Sequence, residues 1–281
     1  MTLSTQRTMY NTDLHLAMLF GSTYTCLPYT TLNEKFSISN GNKSVIKDSV
    51  YPILRYLTIG TGGTPGINES RGFILSEHTP LDAALFNHVP FAMLKDDEDM
   101  DADEQENYRF KRKEVINGET YNCYYLRLMN ITDAYDNKFQ TIRNVNNESF
   151  ISTFNTNRNL INPTPKSRKV DYENITETNF ITKLCKITVT FSETELKRLE
   201  QVFKIKGYKS NVLSEMGLCS GIEVRDQQTG KRLEPVDVQL MFFLDMNLDL
   251  TYSFNTGEKI TKYIEVGGAE PMVNGIDEDK G

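Results

Sequence analysis

The spacing of apolar positions speaks most clearly in the last third of the chain. In FITKLCKITVTF, residues 180–191, Ile187, Val189 and Phe191 fall on one face. Lys186, Thr188 and Thr190 fall on the other, the period of a half-buried strand. The next segment, SETELKRLEQVFKIKGY, changes period. Leu196, Leu199, Val202 and Phe203 form a helical stripe, Ser192 and Glu195 have capping-box spacing, and Gly207 supplies the stop. NVLSEMGLCSGIEVRDQQTGKRL then reads as a strand, a turn and a short strand, and VDVQLMFFLDMNLDLTYSF as a long apolar strand. Strand–helix–strand–strand predicts an α+β fold, mainly antiparallel β with few short helices and long loops.

Upstream, YRFKRKEVINGETYNCYYLRLM, residues 108–129, holds two β-rich runs around Asn117-Gly118. Asn-Gly supplies the positive φ angles of a type I′ turn and predicts a hairpin. On its first strand, alternation groups Arg109, Lys111 and Lys113 against Phe110 and Arg112. The acidic run KDDEDMDADEQEN just before it, a solvated loop or the first turn of a helix, offers ion-pair partners. Residues 44–59 read as a short helix before Pro52 and a strand, Tyr56 to Ile59, after it. Leu81 to His88, with Pro80 at its start, reads as another short helix. The chain thus divides into an irregular N-terminal arm (1–40), a mainly β core (41–266) with a polar excursion at about 130–178, and a flexible C-terminal tail (267–281).

Composition narrows the function classes. The formal net charge of −7 argues against a duplex nucleic-acid partner, which needs a basic face. Asn and Thr are frequent and Trp is absent, which suits a turn-rich β protein and gives no support to a carbohydrate-binding platform. No signal-peptide pattern and no apolar run near the roughly 20 residues of a membrane helix is visible, so synthesis in the cytoplasm and no membrane partner are expected. Cys26, Cys123, Cys185 and Cys219 are widely spaced and read as reduced, mostly buried thiols.

The stretch YLTIGTGGTPG, residues 56–66, invites a phosphate loop through Gly60, Gly62 and Gly63. No lysine follows, Pro65 stands where the dinucleotide pattern needs glycine, and proline removes a backbone donor. His15, His78 and His88 lack metal-ligand spacing. Asp97, Asp99, Asp101 and Asp103 alternate like a calcium loop. Ala102 and Tyr108 then occupy the positions that require glycine and glutamate. There is no G-x-S-x-G elbow, and Cys26 or Cys123 with His88 would form a nucleophile–base pair only if folding joined them. A carboxylate pair of glycosidase type is not singled out by spacing. The expectation is a protein without cofactor or metal that is not an enzyme.

Two stretches carry a resemblance. Ile59-Gly60 with Gly62 matches an x-I-G-x-G strand end. In NVLSEMGLCSG, Glu215, Gly217 and Leu218 match an I-x-E-I-G-L strand, with Leu213 and Met216 replacing isoleucines. The combination resembles tail, baseplate and fibre-attachment proteins of tailed bacteriophages. The resemblance implies a virion structural part, a tail or baseplate component assembling in multiple copies. Its partners would be other virion proteins (tail tube, baseplate, fibre or neck) and further copies in a ring. The alternatives are a neck or head–tail connector component and a tail-associated glycan or cell-wall hydrolase.

Overall fold

The computed structural model describes residues 4–20, 24, 26–38, 51–62, 78–129, 137–145, 148–154 and 179–271. Contacts divide the chain into two compact units, residues 1–131 with 189–262, and 132–188 with 263–281. The fold is α+β and mostly antiparallel, with short helices, as the hydrophobic pattern predicts.

The first unit is built on a sheet ordered β1 (Ser4–Arg7), β11 (Val236–Asp249), β10 (Val212–Ile222), β2 (Ile53–Gly60), β6 (Glu119–Leu128) and β4 (Ala92–Lys95). The short β3 (His88–Val89) joins β2, and β5 (Tyr108–Ile116) joins β6. Its centre is sealed. From Leu213 to Gly221 every residue of β10 is buried, and the same holds for β2 from Tyr56 to Gly60. The β5–β6 hairpin turns at Asn117 (φ 52°) and Gly118 (φ 84°), with Ile116 opposite Glu119, as the Asn-Gly pair predicts. The acidic run closes on the basic strand through Lys111–Asp99 and Lys113–Asp96, both 2.5 Å, and Asp101 caps α3 (Ala102–Gln105).

Helix α4 (Glu193–Lys206) follows its sequence signals closely. Ser192 and Glu195 form the capping box, Gly207 ends the helix at φ 67°, and Leu196, Leu199, Val202 and Phe203 are the buried stripe. Before it, in β9 (Asn179–Phe191), Ile187, Val189 and Phe191 are buried while Thr188 and Thr190 are exposed. Helix α5 (Thr251–Thr256) turns out of β11.

Several expectations are corrected. The segment read as an irregular arm holds β1, which pairs with β11, and the helices α1 (Met9–Phe20) and α2 (Leu32–Lys35). Tyr10, Leu14 and Ala17 are the buried positions of α1, a helical spacing diluted by polar neighbours. On α2, Asn33 donates from Nδ2 to Pro235 O and accepts from Val238 N, tying the helix to β11. Leu81 to His88 is not helical. Leu85 N donates to His88 Nε2, and Phe86 N and Asn87 N donate to Glu215, so the donors of a helix are committed elsewhere. The strand after Pro52 begins at Ile53. The expected tail is strand up to Pro271, within β12 (Ile260–Pro271). The predicted helix before Pro52 lies outside the described residues.

In the second unit the strands run β12–β9–β7–β8, with β7 (Asn137–Val145) and β8 (Glu148–Phe154) lying inside the expected polar excursion. β7 and β8 pair antiparallel from Val145↔Glu148 to Phe139↔Phe154.

Candidate functional site

The two stretches singled out by sequence are hydrogen-bonded neighbours. β2 and β10 run antiparallel with Gly60 opposite Glu215, Ile59 opposite Met216, Thr58 opposite Gly217 and Leu57 opposite Leu218. On its other side Glu215 faces Asp245 of β11. A carboxylate in the middle of a buried sheet needs charge-assisted partners, because desolvation penalises it heavily.

The partners come from residues 78–87. His78 Nε2 lies 2.9 Å from Glu215 Oε2, and Phe86 N donates to the same oxygen at 2.8 Å. Asn87 N donates to Oε1 at 3.4 Å. The His78 side chain is 0% exposed and that of Glu215 1%. The imidazole lies between Phe86 and Phe243, with each ring centroid 4.4 Å away. Its Nδ1 faces Asp82 Oδ2 at 3.4 Å without hydrogen-bond geometry, and Asp245 Oδ1 lies 3.9 Å from Nε2. Burial by itself would push the His78 pKa down. The bond to Glu215, then the charges of Asp245 and Asp82, outweigh it and hold the pKa above the ordinary value.

Gly60 and Gly62 complete the arrangement by what they lack. A β-carbon on Gly60 would meet Asn87 O at 2.7 Å and Glu215 Oε1 at 3.0 Å. On Gly62 it would meet Phe86 Cβ at 2.3 Å and Glu215 Oε1 at 2.4 Å. Gly217 is equally constrained, by Leu240 Cδ1 at 2.5 Å and Thr58 Cγ2 at 2.8 Å. Ser214 Oγ donates to Gly62 O, and Thr61 N donates to Asn87 O at 3.0 Å. The glycine-rich turn is therefore fastened to the 78–87 loop and to β10. Gly63 lies outside the described residues.

His88 is separate in character. Leu85 N donates to its Nε2 at 3.1 Å, which leaves Nδ1–H to donate to Thr58 Oγ1 at 2.8 Å. Burial, then the nearby Lys35, pushes its pKa well below the ordinary value, so the ring is neutral. Its hydrogen bonds go to Thr58 and Leu85 and not to a thiol. Cys123, in mid-strand on β6, is pushed up to about 12 by burial. Cys26 is pushed up to about 12 by burial and Asp237, and burial likewise raises Cys219. Such thiols stay protonated and are poor nucleophiles.

Sequence reasoning named Gly60, Gly62, Glu215, Gly217 and Leu218, and folding brings these together. Asn117 and Gly118 stand apart, at the hairpin turn. His78, Asp82, Phe86 and Asp245 were missed as partners of Glu215. The one signal available was a glutamate inside an apolar strand, which demands a buried counter-charge.

These features define an α+β protein whose central antiparallel strands hold a loop through the buried, hydrogen-bonded pair His78–Glu215. The chain belongs to a family of unknown function, DUF7208, matched over residues 1–278. Neither the curated proteins nor the solved structures contain a match.

Proposed function

We propose that this chain is a structural protein of a tailed-bacteriophage virion, a tail or baseplate component that assembles in several copies. The observation that carries this reading is the pairing of its two diagnostic stretches. They are distant in sequence yet form one ladder, Ile59-Gly60 against Glu215-Met216, so the resemblance describes a single structural unit. The chemistry at that unit also favours architecture over reaction. His78 and Glu215 are shut away from solvent, and Glu215 spends its lone pairs on the backbone of the loop it holds.

Two surface features suit assembly. Tyr29, 90% exposed, lines a groove of about 830 Å³ together with Ala83 and Ala84 of the fastened loop. In the second unit, β8 is paired along one edge only among the described residues, and an open strand edge is a template for another chain. The partners in this reading are other virion proteins and further copies in a ring, with synthesis in the host cytoplasm.

Quantitative mass spectrometry of particles purified from a lysate carrying the gene tests the proposal. Multiple copies per particle are expected. A protein absent from particles and recovered wholly in the soluble fraction overturns it.

A further inference from the structure

The groove beside Tyr29 measures about 830 Å³, and its lining includes Pro28, Tyr29, Glu34, Lys35, Ala83 and Ala84. Tyr29 is 90% exposed, more than any other large apolar side chain described, and Leu27 beside it is 55% exposed. Among the described residues the Tyr29 ring and hydroxyl make no ring contact or hydrogen bond. Tyr29 adopts φ 62°, rare for an aromatic residue. Ser37, which lines the groove beyond the other end of α2, adopts φ 55°. Strained backbone persists only where its surroundings enforce it, and it gathers at functional sites. Here Thr30 Oγ1 donates to Leu27 O at 2.7 Å, the Thr31–Glu34 capping box closes the turn, and Asn33 pins α2 to β11. The ring is held out to solvent by a rigid turn, so docking it orders little that is not ordered already.

The pattern of projections and charges says what docks. A protruding ring stands beside the small side chains of Ala83 and Ala84. Glu34 and Lys35 are neighbours on one helical turn, so the groove has no net charge, and neither a cationic nor an anionic partner is favoured. Neither side chain makes an ion pair among the described residues. Lys35 Nζ donates to Leu85 O at 3.3 Å, and Glu34 Oε2 accepts from Thr31. A projection beside a recess, and a carboxylate beside an ammonium, are each self-complementary under a two-fold axis, where residue i meets j and j meets i.

We propose that this face pairs two copies of the chain about a two-fold axis. Tyr29 of each copy fills the other's groove against Ala83 and Ala84, and Glu34 of each meets Lys35 of the other. The docked rings supply the affinity, burying about 150–250 Å² each, and the charge pairs fix the register. This pairing deepens the reading of the groove as an assembly surface and rests on it. It forms in the isolated chain, so its failure is separable from failure of the virion reading.

Sedimentation velocity of the full chain, over concentrations spanning the roughly micromolar dissociation constant expected of a modest interface, tests the proposal. A monomer–dimer equilibrium that stops at the dimer is expected. Tyr29→Ala weakens it by roughly tenfold or more, as loss of an aromatic anchor does. Glu34→Lys and Lys35→Glu each abolish self-pairing by setting like charges face to face. An equimolar mixture of the two variants restores a dimer. A chain that stays monomeric, though found in particles, overturns the pairing and leaves the virion reading standing. The pairing is equally overturned by dimers that Tyr29→Ala leaves unchanged and by polymers that lengthen with concentration. A mixture that stays monomeric while both variants keep the parent far-UV circular dichroism overturns it too.

Discussion

Glu215 lies directly across the β2–β10 ladder from Gly60, and its carboxylate fills the space that a β-carbon on Gly60 or Gly62 would need. The glycines are therefore required for room, not for left-handed backbone. Neither is among the positive-φ glycines, which are Gly118, Gly207, Gly230 and Gly257. The vacated volume lets a buried carboxylate reach His78 and two backbone amides of the 78–87 loop, adding to the ties that β3 and Thr61 already make there.

Gly62→Ala should destabilise the protein by about 1–3 kcal/mol, the cost of overpacking a rigid site. The added methyl meets Phe86 Cβ and Asn87 N as well as Glu215, so a side-chain rotation cannot relieve it. Urea unfolding of the variant checks this. An unchanged midpoint would mean that the loop is not seated as described.

Gly118→Ala tests the opposite case. Nothing lies within 4 Å of its absent β-carbon, but φ is 84°. The expected loss is about 1–2 kcal/mol, from the left-handed conformation alone. A broader hairpin resonance pattern by NMR, with the rest of the spectrum intact, is the accompanying sign.

The two buried histidines should give opposite pH dependences. His78 has a raised folded pKa. Its contribution is complete below the unfolded value of about 6.5 and is lost as pH rises through the folded value. His88 has a strongly lowered folded pKa and stays neutral. Below about pH 6.5 the unfolded chain takes up a proton that the folded chain refuses, so stability falls with acidity. His78→Gln should abolish the alkaline loss and keep the acid one. Denaturant midpoints from pH 5 to 9, on the order of the histidine range, decide this, and an unaltered alkaline slope would remove His78 from the account.

Glu195 should outweigh its helical neighbour Glu193. It pairs with Arg127 at 2.7 Å, accepts from Tyr108 OH at 3.0 Å and closes the α4 capping box. Arg127 is largely buried between Phe91 and Phe191, 5.5 and 5.2 Å from their centroids. Glu195→Ala strands that charge and should cost about 3 kcal/mol. Glu193→Ala removes only an exposed pair with Lys197 and should leave the unfolding midpoint nearly unchanged.

The sequence announced those parts of the fold whose causes are local. Helix α4 carries its cap, stripe and stop within one short segment, and Asn117-Gly118 sets its own turn. Where partners are remote, local reading failed. Leu81 to His88 has an apolar run and a favourable proline, yet its amides are claimed by Glu215 and His88. α1 exposes Leu16 and Met18 while burying Tyr10, Leu14 and Ala17, so its pattern is indistinct without knowledge of β11. The candidate site was half legible. The glycines and Glu215 stood out as a pattern, but only the three-dimensional ladder shows that the glycines make way for the glutamate, and that His78 is its hydrogen-bond partner.

The central claim is that these devices build a repeated part of a particle. Symmetric averaging of electron micrographs of purified virions tests it most directly. The account predicts a ring of density at the tail or baseplate into which several copies of the first unit fit with the β2–β10 ladder intact. A ring above the tail tube would move the protein to the neck. Fully assigned particles with no density for this chain would contradict the account.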